Sequence, residues 1–251
     1  MIKGNFILAG WLLVLILCFK PFDAISQISI DIEAGAVYTG YNDVRIPGDE
    51  GSFISFSDEL NGKTSLFSRV RLGYMFGDRN EVLLLYAPLD LSYKGTLSRD
   101  VDFQGETFAA GSKLNATYKF NSYRITYRYL VLKKKQFDLG VGLTLKVRDA
   151  NIGISNDLGK SSEKTDLGVV PLISFIAHWQ PTEQFGLVLD GDALAAPQGR
   201  AEDVLLAVTY KATSRLTFRA GYRILEGGAD NATVYTFSLF HYAVAGLTVK
   251  L

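Results

Sequence analysis

Residues 137–148 read Phe-Asp-Leu-Gly-Val-Gly-Leu-Thr-Leu-Lys-Val-Arg. Every odd position is apolar, and every even one is charged, small or hydroxylated. An apolar residue at every second position is the period of a strand, whose successive side chains point to opposite faces. Phe137, Leu139, Val141, Leu143, Leu145 and Val147 therefore share one face, and Asp138, Gly140, Gly142, Thr144, Lys146 and Arg148 the other. A two-faced strand suits a soluble sandwich as well as a membrane barrel, so its surroundings decide between them.

Outward from this stretch, ten extended segments are expected. They run over 28–41, 64–76, 81–97, 114–132, 137–154, 165–179, 184–194, 203–210, 215–225 and 233–251. The second repeats the alternation, with Val70, Leu72, Tyr74 and Phe76 on one face and Arg69, Arg71 and Gly73 on the other. The gaps alternate in length. Short turns fall at 77–80, 133–136, 180–183 and 211–214; long connections fall at 42–63, 98–113, 155–164 and 195–202, with a tighter stretch at 226–232. Short turns at one end and longer loops at the other are the pattern of an up-and-down barrel crossing a membrane. Eight strands result instead of ten if residues 184–210 are mostly loop. In the fourth segment Leu114, Ala116, Tyr118 and Phe120 have one parity and Tyr123, Ile125, Tyr127 and Tyr129 the other. A bulge near Asn121–Ser122 would bring both sets to one face; a hairpin turn there is the alternative. Tyr38, Tyr41, Tyr74, Phe76, Trp179, Phe185, Tyr210 and Phe218 lie near segment ends, where aromatic girdles meet lipid headgroups.

The start of the chain agrees. Lys3, an apolar run from Phe6 to Phe19, and small residues at Ala24 and Ser26 read as a secretory signal cut before Gln27. That run is shorter than the ~20 residues a spanning helix needs. The expected organisation is a signal peptide over 1–26 and one barrel domain over 27–251. The only cysteine, Cys18, falls within the signal, so disulfides and thiolate chemistry have no place in the mature domain. With 26 basic and 26 acidic residues the chain is formally neutral, and nothing in the balance points to nucleic acid.

These features resemble the small outer-membrane β-barrels of Gram-negative bacteria. The segments 120–129 (FNSYRITYRY) and 221–230 (GYRILEGGAD) look like signatures of an uncharacterised family of such barrels. The resemblance implies an all-β, antiparallel transmembrane barrel in the outer membrane, in contact with its lipid. Many such barrels end on an aromatic residue, whereas Leu251 closes this chain.

The lumen of so narrow a barrel is filled by side chains. By parity, Arg69, Arg71, Asp90, Arg124, Arg128, Arg148, Asp190, Arg219, Arg223 and Glu226 are the candidates to line it, with Lys119, Lys146, Asp138 and Asp192 as further charges. Buried charges must be paired or wet. They form either a plug of ion pairs or a basic path for an anionic solute. Leu84, Tyr86 and Pro88 are assigned the inward face of the third segment, where they would line an apolar pocket. Pro88 and Pro171 each remove a ladder hydrogen bond and could thin the wall enough to admit a lipid chain sideways; a simple strand end explains them as well. A structural role, or binding or passage of a small solute or apolar ligand, follows. The alternative is a lipid-modifying barrel enzyme, a hydrolase or acyltransferase. Its only histidine bases are His178 and His241, and neither Ser174 nor Ser238 is well spaced to act with them. No metal-ligand set and no cofactor motif is present in the sequence.

Overall fold

The computed structural model describes residues 27–197 and 199–251. The expected signal peptide lies outside the described residues. Fifteen strands follow one another: β1 (Gln27–Arg45), β2 (Ile54–Ser55), β3 (Asn61–Gly62), β4 (Ser65–Phe76), β5 (Asn80–Ala87), β6 (Asp90–Thr96), β7 (Val101–Phe103), β8 (Glu106–Phe108), β9 (Lys113–Lys133), β10 (Phe137–Asn156), β11 (Ser161–Trp179), β12 (Phe185–Ala196), β13 (Gly199–Lys211), β14 (Leu216–Asn231) and β15 (Val234–Lys250). β1, β4, β5, β9, β10, β11, β12, β13, β14 and β15 pair in sequence, each antiparallel to the next, and β15 returns to β1. This closes a ten-stranded up-and-down barrel. β6 continues the line of β5 along β9 without a change of register: Ala87 faces Ser122 and, past Pro88, Asp90 faces Lys119.

The wall is apolar outside and charged inside. Leu72, Tyr74, Leu84, Tyr86, Tyr123, Ile125, Tyr127, Val141, Leu143, Leu145, Leu206 and Val208 are exposed on the outer face. Their neighbours Arg69, Arg124, Arg128, Thr144, Lys146, Asp190 and Asp203 are buried within the barrel. This inversion of a soluble protein's pattern is stable only if lipid covers the outside. Tyr74, Phe76, Tyr127, Tyr129, Trp179, Phe185, Tyr210 and Phe218 ring the end with short turns, and Tyr38, Tyr86, Tyr123 and Tyr222 ring the other. On β9 the two rings are six residues apart, Tyr123 to Tyr129, which is ~20 Å of strand.

Several expectations change. β9 carries no bulge near Asn121–Ser122: even-numbered residues face inward from Leu114 to Leu130, and the register shift lies near its inner end, opposite Leu139 and Gly140. Leu114, Ala116 and Tyr118 are inward and buried. Their strand has left the bilayer there, so the apolar face turns to an interior core and Lys113 and Thr117 face water. The third segment is inverted as well, with Leu83, Leu85 and Ala87 inward and Leu84 and Tyr86 facing lipid. Two of the connections expected to be long are short: β10 turns into β11 over 157–160, and β12 ends at Ala196 with β13 beginning at Gly199. Both hairpins are extended strands.

The two long connections fold back as a cap. β7 and β8 form a hairpin whose tip residues, Gln104 and Gly105, both have positive φ, 48° and 82°, the geometry of a two-residue turn matched to strand twist. Val101, Phe103 and Phe108 pack with Ile46, Ile54, Phe56, Leu60, Tyr93, Leu97 and Ile154 in a buried core over the outer mouth. Gln104 N–H donates to the Ile46 carbonyl (2.8 Å), and Ser52 N–H to that of Asp102 (2.8 Å).

Candidate functional site

Alternation places charges from seven strands at one level of the lumen. β1 brings Asp31 and Glu33, β4 Arg69 and Arg71, β5 Glu81, β9 Arg124 and Arg128, β12 Asp190 and Asp192, β13 Asp203, and β14 Arg219 and Arg223. These are six guanidinium groups and six carboxylates. Asp203 accepts from Arg69 (2.9 Å), Arg124 (2.6 Å) and Arg223. Glu33 accepts from Arg223 (2.9 Å) and Arg219 (2.9 Å). Asp190 joins Arg71 (2.6 Å) to Arg128 (2.7 Å), and Asp192 holds Arg124 (2.8 Å). Asp31 accepts from Arg219 (2.8 Å), and Glu81 from Arg128 (3.3 Å). Thr144 Oγ1 donates to Asp192 (2.7 Å), and Arg128 donates to Ser174 Oγ (3.0 Å). Two strands supply hydroxyls and seven supply charge, so the belt ties opposite walls together across the axis.

The belt separates two spaces. Towards the short turns lies a cavity of about 200 Å³ bordered by Asp31, Arg71, Arg128, His178, Asp190 and Thr209. Towards the loops lies one of about 440 Å³, bordered by Tyr118, Phe120, Leu194, Leu225 and Phe240, with Lys146 and Arg148 among its polar groups. That volume falls in the range of roughly 300–1,000 Å³ of small-molecule sites, which are mostly apolar with a few placed polar groups. Arg148 is paired with Asp166. Lys146 is buried and forms no ion pair among the described residues; its Nζ sits 4.6 Å from the centroid of the Phe120 ring.

Of the residues expected at the lumen, Arg69, Arg71, Arg124, Arg128, Asp190, Arg219 and Arg223 meet in the belt, and Arg148 stands above it. Asp90 does not face the lumen, whereas Glu226 borders the outer cavity together with Arg200. Asp90 is exposed on the outer face beside Lys119, which is also outward and pairs with Asp149 (2.9 Å). At the outer rim Glu226 binds Arg200 (2.7 Å) and Tyr41. Asp90 was misassigned because parity counted from the wrong residue reverses every face of a strand. Asp31, Glu33 and Asp203 went unnoticed, although Ile28, Ile30 and Ile32 alternate with Ser29, Asp31 and Glu33 as clearly as any stretch of the chain.

The histidines and serines are apart. His241 faces outward between Tyr38 (ring centroids 4.8 Å) and Tyr222, whereas Ser238 is inward and bonded to Tyr118 Oη (3.0 Å). Ser174 is engaged by Arg128, and His178 borders the inner cavity.

No family model and no curated protein matches the sequence. Among solved structures, the chain is similar to the outer-membrane protease OmpT of Escherichia coli, with a TM-score of 0.53 at 10% identity over 90% of this chain and 97% of that one. It also matches Ail of Yersinia pestis in complex with the heparin analogue sucrose octasulfate (TM-score 0.41, 11% identity, 90% and 99% covered) and Neisserial surface protein A (0.35, 16%, 88% and 97%). At such identities the OmpT likeness speaks for the fold alone. With the lipid-facing exterior, it places the chain among bacterial outer-membrane β-barrels.

Proposed function

We propose that this barrel does not conduct solutes along its axis and instead holds a small, largely apolar ligand in its outer half. The observation that carries the reading is the belt of six arginines and six carboxylates lying between the outer and inner cavities. Each charge has at least one partner of opposite sign, so a passing ion would have to break buried pairs. The apolar lining of the outer cavity favours a ligand that gains by leaving water.

Planar-bilayer recording on the refolded protein tests the first half. Silence from a demonstrably folded barrel is expected, at low and high salt alike. Reproducible steps with anion selectivity would overturn it and return the arginines to the role of a basic conduction path. Saturable binding of a linear alcohol such as dodecanol to the reconstituted barrel tests the second half, and its absence would count against a ligand site.

A further inference from the structure

The wall is incomplete beside the outer cavity. β11 and β12 pair from Trp179 and Leu187 as far as Ile173 and Ala193, and no further, although β11 runs on to Ser161 and β12 to Ala196. Continued in the same register, the ladder would set Pro171 opposite Ala195. Proline has no N–H to donate, and central strands exclude it for that reason. Beyond Pro171, β11 has β10 as its only ladder partner among the described residues, while β12 ends at Ala196 and β13 begins at Gly199.

Through this seam the cavity reaches the outer surface. Val169 and Pro171 pair with Val147 and Leu145 and point outward with them, yet they border the same space as the inward Lys146 and Phe120. Leu145 and Val147 in turn pair with Ile125 and Tyr123, at the level of the outer aromatic ring. The seam thus opens where acyl chains meet headgroups in the outer leaflet. The other proline shows the contrast. Pairing of β4 with β5 ends at Val70 and Tyr86, two residues before Pro88, but Phe67 and Leu89 fill that gap and leave a void of about 10 Å³.

Lys146 gives the cavity its chemical preference. Its cross-strand neighbour is Arg124, another cation, which takes up Asp192 and Asp203, while Glu226 on the same cavity is held by Arg200, so Lys146 forms no ion pair among the described residues. A buried amine without a counter-charge is costly, and an anionic group brought in by a ligand supplies the missing partner.

We propose that the outer cavity takes a single-chain amphiphile with an anionic head, which enters sideways from the outer leaflet through the seam between β11 and β12 and sets its head against Lys146. The proposal rests on reading the cavity as a ligand site. The chain then lies along Phe120, Leu194, Leu225 and Phe240.

Binding of radiolabelled dodecanoate and dodecanol to the full barrel in phosphatidylcholine vesicles separates the parts. Wild type is expected to bind both saturably. Lys146→Met should weaken dodecanoate by about tenfold or more and leave dodecanol unchanged. Ala195→Trp, which places an indole at the seam, should slow loading from the vesicle by about tenfold with the same final occupancy. Equal dodecanoate affinity in wild type and Lys146→Met overturns the head-group assignment. Unchanged loading in Ala195→Trp overturns the lateral route. Failure of wild type to bind either probe overturns the ligand site itself. If Ala195→Trp does not assemble, dodecanoate bearing a diazirine at its chain end tests the route on wild type. Adducts on 169–172 or 194–196 that excess dodecanoate suppresses support it, and adducts confined to the 97–112 cap overturn it.

Discussion

Asp203 is where the belt is most heavily loaded, because one carboxylate there answers three guanidinium groups. Without it, Arg69 keeps only a 3.9 Å contact to Glu33, while Arg124 retains Asp192 and Arg223 retains Glu33. Removing one partner of a buried pair costs ~3–5 kcal/mol because the other charge stays buried and uncompensated. Asp203→Asn is therefore expected to destabilise the barrel by about that amount, and Arg223→Ala, which strips Glu33 and Asp203 together, by a similar one. Urea titration in lipid vesicles, followed through Trp179, measures both; unchanged midpoints would mean that water already solvates the belt. Arg99→Ala is the control. Its pair with Glu59 (2.6 Å) stands on the exposed cap, and exposed pairs contribute ~0–1 kcal/mol. Which arginines turn inward was legible from the alternation of Arg69, Arg71, Arg124 and Arg128 with aromatics and aliphatics. Which carboxylate serves which arginine was not, since the partners come from strands anywhere from 20 to 190 residues apart and meet only when the barrel closes.

Strand β9 explains both what the pattern reveals and where it misleads. Its apolar residues switch parity between Phe120 and Tyr123 while its backbone does not, because the strand passes from lipid into water and the side that must be apolar passes from outside to inside. Sequence alternation reports the apolar face, not the inward one, and the two coincide in soluble proteins but oppose each other in a barrel wall. The same change of medium hid the length of β10 and β11, whose outer ends read as polar loop. A pair of substitutions on outward positions tests this. Leu143→Arg, midway between the aromatic rings, should cost ~2–4 kcal/mol, whereas Thr117→Lys, on the outward face of β9 past the outer ring, should fall within ~0.5 kcal/mol of wild type. Equal costs would place the bilayer boundary elsewhere on the strand.

At the scale of the whole molecule, the chain divides its interior by depth: an apolar cap at the outer mouth, a cavity below and beside it, the charged belt, and a wet inner mouth. The ten-strand barrel was readable from gap lengths and period, but the cap was not, because Val101, Phe103 and Phe108 sit in a polar stretch whose hairpin acquires its meaning only from Ile46, Phe56 and Tyr93 far away in sequence. The β7–β8 hairpin forms a sheet of its own outside the barrel's ladder, although its side chains share the buried cluster that reaches down to Phe67 and Tyr242, so it should fail before the wall does. Phe103 is fully buried and belongs to the apolar cluster under the cap. Phe103→Asp puts a carboxylate into that apolar core, where burial without a partner costs more than a few surface contacts can return. The hairpin should then open while the β-wall stays closed, since local units can unfold well below the global free energy. The expected result is cleavage within 97–112 by added protease on intact cells or vesicles, with wild type resistant and both chains showing the same urea midpoint. A shared loss of wall stability would instead make the cap an integral part of the barrel's fold, and the outer cavity would then depend on it.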